Sequence, residues 1–169
     1  MEQQLQELLD KKACEELVMR YGRTQDWLDT PGQDGCFWPD ADIDFGFFKG
    51  NGADWVKTVM PHEAQAIRRW HMSTSLIVNV DGDRATGECY GIAVGTNKDA
   101  NGDMIDNMYG GRYLDEFEKR DGVWRISKRT YILDWGTQFP NALAAMTPEE
   151  FALNILEISE PGHPEYRPL

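Results

Sequence analysis

The chain has 169 residues and a formal net charge of −12, with 41% hydrophobic and 27% charged residues. That length fits one domain with a real core, and the acidic balance excludes a nucleic-acid partner, which needs a basic face against phosphate. The first sixteen residues are charged throughout, no apolar run reaches membrane-span length, and Cys14, Cys36 and Cys89 are widely spaced without a CxxC pair. The expectation is a cytoplasmic protein with no secretory leader, membrane contact, disulfide or zinc framework, acting on something small.

The first predicted element is a helix. Leu5, Leu8, Leu9, Leu17, Tyr21, Thr24 and Leu28 recur at spacings of three and four, which draws one apolar stripe. Pro31 and Gly32 are expected to stop it. The stretch CFWPDADIDFGFF reads as a helix end running into a short strand, and GADWVKTVMPHEAQAI as a helix interrupted or ended near Pro61. From Arg68 the period changes to two. Asp81-Gly82, Asn101-Gly102 and Asp121-Gly122 are the dipeptides that tight hairpins prefer. They divide the region into strands near 70–80, 84–98, 104–120 and 123–137. Helices first and an antiparallel meander afterwards make an α+β arrangement with the helices on one face. TPEEFALNILEI reads as a final amphipathic helix with Thr147 as cap and Pro148 in its first turn, followed by an irregular tail.

Alternation sorts each strand into two rows. One row of the first long strand holds Trp70, Met72, Thr74, Leu76, Val78 and Val80; the other holds His71, Ser73, Ser75, Ile77 and Asn79. Small hydroxyls beside one histidine hint at a polar-lined pocket. In the next strand Ala85, Gly87, Cys89, Gly91, Ala93 and Gly95 share a row, so a helix or a ligand approaches that face closely. Arg129, Tyr131, Leu133 and Trp135 share a row in the last strand; the arginine orients an oxyanion there or pairs with a surface carboxylate. If helices cover one sheet face, Trp70, Met72, Ile92 and Val94 leave the other apolar, which points to a homo-oligomer.

Of the three histidines, His62 and His163 lack the surroundings of a base, which leaves His71 as the candidate for general-base work near neutral pH. Such a base needs an orienting carboxylate. Asp26 lies one turn beyond Gly22, whose missing side chain leaves room beside it, although spacing alone favours an ordinary solvated helix-end acid. Asp99, Asn101 and Asp103 resemble the start of a calcium loop, but the twelfth position is Gly110 rather than Glu. No P-loop, GxSxG, HExxH or dinucleotide fingerprint occurs. Neither a metal nor an organic cofactor is expected.

YGRTQDWLD, RWHMST, MYGGRYLDEFEKRDGVWRISKR and YILDWG, taken together over roughly residues 5–138, resemble the SnoaL-like superfamily. Within it the chain resembles the branch of scytalone dehydratase, hexachlorocyclohexane dehydrochlorinase and bile-acid 7α-dehydratase. The resemblance implies a nuclear transport factor 2-like, cystatin-like α+β barrel, in which N-terminal helices pack on a curved, mainly antiparallel sheet around a cone-shaped cavity. Residues 1–145 would form this domain, and 146–169 a C-terminal helix and tail that belong to it or serve as interface or lid. It also implies an Asp–His dyad, which maps onto Asp26 and His71. Tyr21, Tyr131 and Arg129 match substrate-facing positions of relatives and Trp135 matches a tryptophan near the sheet end; Tyr113, Trp38, Phe45 and Phe47 complete the expected lining. Gln25 and Phe45 depart from the tyrosines of scytalone dehydratase, and Tyr21 from the lysine of the dehydrochlorinase.

The function so implied is a cofactor-free lyase of the dehydratase kind, or an isomerase or cyclase. It would act on a small apolar cyclic substrate of polyketide- or steroid-like shape, in a homo-oligomer, a trimer ahead of a dimer. Two other readings share the fold: a non-catalytic small-molecule binder, and the structural small subunit of a ring-hydroxylating oxygenase.

Overall fold

In the computed structural model, which describes residues 1–141 and 160–168, helix α1 (Glu2–Asp26) opens the chain. Its buried positions, Asp10, Cys14, Leu17, Val18, Tyr21, Gly22, Thr24 and Gln25, keep the helical spacing. The expected stripe is therefore correct from Leu17 to Thr24 but not before it: Leu5, Leu8 and Leu9 are 56%, 62% and 54% exposed. Burial begins where the sheet does, at Asp10. This carboxylate accepts from Lys119 Nζ and Trp124 Nε1, both at 2.8 Å.

The helix ends at Asp26 rather than at Pro31. Leu28 takes a left-handed φ of 52° and turns the chain, and Pro31 then sits in the first turn of α2 (Thr30–Asp34), where its missing N–H costs nothing. Asp29 caps α2 by accepting from the Gly32 N–H at 3.0 Å. Helix α3 (Gly52–Glu63) is capped by Asn51 and runs two residues past the expected stop at Pro61. A proline in the last turn removes one backbone bond and leaves the rest.

Six strands form one curved, unclosed sheet in the order β2-β1-β6-β5-β4-β3. The expected meander is β3 (Arg68–Asp81), β4 (Arg84–Lys98), β5 (Met104–Arg120) and β6 (Val123–Pro140). Strand β1 (Phe37–Asp44) runs parallel to β6, with its register broken around Pro39, and the unforeseen β2 (Lys49–Asn51) closes the edge beyond it. The last hairpin places Asp121 and Gly122 at φ 52° and 80°, the positive pair a type I′ turn requires. In the first hairpin the loop is Gly82-Asp83, one residue later than expected. The middle loop has Asp99 accepting from the Asn101 and Asp103 N–H groups, so the carboxylate closes a turn. α1 packs across the concave side of the sheet on β3, and α3 packs on β1.

Two β-bulges change which side chains face inward. In β3, Ser75 has φ 51° and the register shifts between Thr74 and Ile77. His71 therefore faces inward with Ala93, whereas beyond the bulge Val78 enters the core and Ile77 is exposed. The rows expected to run unbroken along this strand exchange faces. In β6 the shift between Leu133 and Trp135 does the same. The expected outer apolar face is present and carries Trp70, Met72, Tyr90, Ile132 and Trp135, all exposed. The row of small residues in β4 faces inward. There a Cβ on Gly91 would stand 2.7 Å from the Tyr113 ring, so the close approach comes from a neighbouring strand's side chain. The helix expected from Thr147 lies outside the described residues. Residues 160–168 hold turns only, and Tyr166 donates from its hydroxyl to Asp29 Oδ2 at 2.7 Å.

At the centre, Arg129 is fully buried and faces Asp115 across the β5–β6 ladder. Nε and Nη2 donate to the two carboxylate oxygens at 2.7 and 2.6 Å. Removing one partner of such a pair leaves an uncompensated charge in the interior, whereas an exposed pair is screened by water. Asp115→Ala is therefore expected to lower stability by about 3–5 kcal/mol, and Asp134→Ala, which breaks the solvent-accessible Arg112–Asp134 pair, by far less. Urea unfolding of both variants checks this; equal losses would contradict it.

Candidate functional site

The residues that matter converge on the concave side of the sheet because three local features aim them there. Tyr21 and Gln25 are four apart on α1 and share its buried face. Asp26 follows at the helix end. His71 is brought beside it because Gly22, one turn back, lets β3 approach: a Cβ there would lie 3.1 Å from His71 Cβ. Gly111 clears the space for Tyr131, since a Cβ on it would be 2.6 Å from that hydroxyl oxygen.

Both oxygens of Asp26 are used on one residue. His71 Nδ1 donates to Oδ1 at 2.8 Å, and the His71 backbone N–H donates to Oδ2 at 3.1 Å. The paired side chains are 11% and 18% exposed. With Nδ1 engaged by the carboxylate, Nε2 is the nitrogen left to exchange a proton. His71 lines a cavity of about 400 Å³ with Tyr21, Gln25, Phe45, Phe47, Trp55, Val59, His62, Glu63, Ala93, Tyr109, Tyr113, Tyr131 and Leu133. Phe45 lies stacked between Trp55 and Tyr131, at 4.0 and 5.3 Å between ring centres.

Four of these walls are phenols, and three of them are buried or half-buried. Burial pushes the Tyr21, Tyr113 and Tyr131 hydroxyls above the ordinary tyrosine range, with Arg129 acting in the opposite sense on the first two. They stay protonated near neutrality and serve as donors. The Arg129 guanidinium sits over the Tyr21 and Tyr113 rings at 4.2 and 4.4 Å. Burial works against its charge, but the Asp115 carboxylate outweighs this and holds its pKa above the ordinary value.

The structure places His71, Tyr21, Tyr113, Tyr131, Phe45 and Phe47 around one cavity, with Asp26 behind His71, and it places three other candidates elsewhere. Arg129 is behind the tyrosines and does not line the cavity. Trp38 alternates away from the buried Phe37, donates from Nε1 to the Glu118 carbonyl at 3.0 Å and lies between Arg120 and Arg125. Trp135 is on the outer sheet face over Gly110, because the bulge at Asp134 turns it away from Leu133. The lining also includes Gln25, Trp55, Val59, His62, Glu63, Ala93, Tyr109 and Leu133, none of them among the expected site residues. Gln25 was findable from its four-residue spacing to Tyr21, and Trp55 from its spacing to Val56 and Val59 on an amphipathic helix; His62 carried no local signal. Among the described residues no group of acidic, histidine or cysteine side chains is arranged to hold a metal ion, and no helix is long and apolar enough to cross a membrane.

Comparison with known proteins agrees with this architecture. Among solved structures, Rv3472(D26N) from Mycobacterium tuberculosis, a protein of unknown function, is 29% identical, covering 75% of this chain and 77% of its own, with a TM-score of 0.64. A protein of Novosphingobium aromaticivorans provisionally assigned as a scytalone dehydratase is 17% identical over 94% of this chain and 97% of its own, TM-score 0.67. The hexachlorocyclohexane dehydrochlorinase LinA-type3 of Novosphingobium barchaimii is 23% identical over 82% and 94%, TM-score 0.67. No curated protein matches the chain. The family model for the SnoaL-like domain matches residues 6–130, which run from α1 through β5 into the first half of β6 and include Asp26 and His71. By that match the chain belongs to the SnoaL-like family.

Proposed function

We propose that this protein is a cofactor-free lyase, dehydratase-like in its chemistry, or an isomerase or cyclase built from the same parts. The observation that carries the reading is the Asp26–His71 contact, with both carboxylate oxygens committed to one histidine at the wall of an aromatic cavity. A surface acid would have no reason to be so committed. The structural likeness to proteins named for dehydration and dehydrochlorination supports the same chemistry.

In a dehydration, His71 Nε2 takes the proton from a carbon next to a carbonyl, and the C–H electrons form the enolate. Asp26 stabilises the imidazolium and keeps the ring in its tautomer. The enolate then expels the β-hydroxyl, a C–O bond breaks and a C=C bond forms. One of the phenols Tyr21, Tyr113 or Tyr131 gives the departing oxygen its proton, so that water leaves. Transfer of the proton from His71 to that phenolate restores the site. The walls Phe45, Trp55, Val59 and Ala93 exclude water from a small cyclic substrate.

On a substrate found by following water loss from cyclic hydroxyketones by mass spectrometry, Asp26→Asn is expected to lower kcat by about 10³ with KM little changed, because the amide no longer selects the tautomer. A variant with full activity would reduce the pair to a structural contact. Unchanged ligand affinity with no turnover in either protein would favour the non-catalytic binder.

The outer sheet face supports a second part of the proposal, a homo-oligomer with a trimer ahead of a dimer. Trp70, Met72, Tyr90 and Trp135 expose a contiguous apolar surface on neighbouring strands, of the kind soluble monomers rarely leave to water. Light scattering should give a mass of two or three chains of 19.3 kDa, and Met72→Lys should shift it toward one. A monomeric wild type would remove this part.

A further inference from the structure

Two polar atoms of cavity-lining residues have no partner among the described residues. Gln25 is 2% exposed; its Nε2 donates to the Tyr21 hydroxyl at 3.1 Å, and its Oε1 accepts nothing. Trp55 is 1% exposed, and its Nε1–H donates to nothing. They come from different elements, α1 and α3, and both line the cavity that His71 lines. A buried polar group without a partner is costly, so natural interiors keep few of them, and those they keep call for a physical reason.

We infer that Gln25 and Trp55 are the specificity-determining residues of this cavity and select a ring that carries two oxygens, a hydroxyl for the Gln25 carboxamide and a carbonyl for the Trp55 N–H. The assignment follows from what each group can do. An indole N–H only donates, so its partner is an acceptor. A carboxamide has an accepting and a donating end, and a hydroxyl, which does both, satisfies whichever end faces it. A C–H or C–Cl bond satisfies neither, so a hydrocarbon or polychlorinated ring leaves both groups unpaired. The other walls of this part of the cavity, Phe45, Val59 and Ala93, accept the ring's carbon skeleton. The inference deepens the proposed function by naming the two residues that read the substrate's oxygens. It rests on that reading for the location of the site, not on turnover.

Because the claim concerns recognition, the test measures binding. Isothermal titration of the full-length protein with 4-hydroxy-1-tetralone, 1-tetralone and tetralin should show affinity falling by about tenfold at each lost oxygen. Gln25→Leu should erase the difference between the first two ligands, and Trp55→Phe the difference between the last two. In the wild type, the Trp55 indole N–H resonance should move downfield with either ketone and not with tetralin, a readout that needs no folded variant. The preference appearing in a protein that dehydrates no cyclic β-hydroxyketone, 3-hydroxy-1-tetralone included, would support the inference while counting against the lyase reading. Equal affinities for all three ligands, binding of none, or preferences that survive both substitutions would overturn it.

Discussion

A single buried charge organises this molecule. Arg129 stands at 0% exposure in the middle of β6, and Asp115 is opposite it on β5. An isolated guanidinium in that position would cost far more than a domain can spare, so the carboxylate and the surrounding rings have to be in place for the chain to fold. The two bonds to Asp115 fix the β5–β6 register. The faces of Tyr21 and Tyr113 lie against the cation, which ties α1 to the sheet at the depth where the cavity begins. These cavity-lining phenols are thus held from behind by a group that does not itself line the cavity.

The second constraint is the contact between the end of α1 and the start of β3. Asp26 reaches His71 because Gly22 removes the side chain that would separate helix and strand. The carboxylate then holds both the ring and the backbone of the residue it orients. Two bonds to one residue leave the imidazole little freedom to turn, and such preorganisation is what a proton-transfer group requires. Arg69, two residues earlier, donates to the Glu63, Ala66 and Asp26 carbonyls. It thereby ties the end of α1 to the segment after α3, so three elements share one corner.

Bulges do the remaining work of sorting side chains. Without the extra residue at Ser75, a strand that carries His71 inward would also carry Ile77 inward, and Val78 would face water. The bulge lets one strand serve the cavity at one end and the core at the other. The shift at Asp134 does the converse on β6: Tyr131 and Leu133 stay with the cavity, and Trp135 joins the outer face.

What the sequence determined by itself was local. The change of period at Arg68, the Asp-Gly and Asn-Gly pairs and the length of the chain were enough to place four strands, their antiparallel order and the helices before them, because hydrophobic alternation and turn chemistry act over a few residues. Asp26 and His71 were visible as candidates, since a lone histidine heading a strand and an acid beside a helix glycine stand out in a chain with three histidines. Only the tertiary structure decided the rest. The bulges, the arrival of α3 with Trp55 and His62, and the burial of Arg129 behind the tyrosines depend on contacts between residues far apart in the chain, which alternation along one strand cannot encode. Trp135 shows the physical reason directly. It belongs to a strand that lines the cavity through Tyr131 and Leu133, and the one extra residue at Asp134 turned its ring to the outer face.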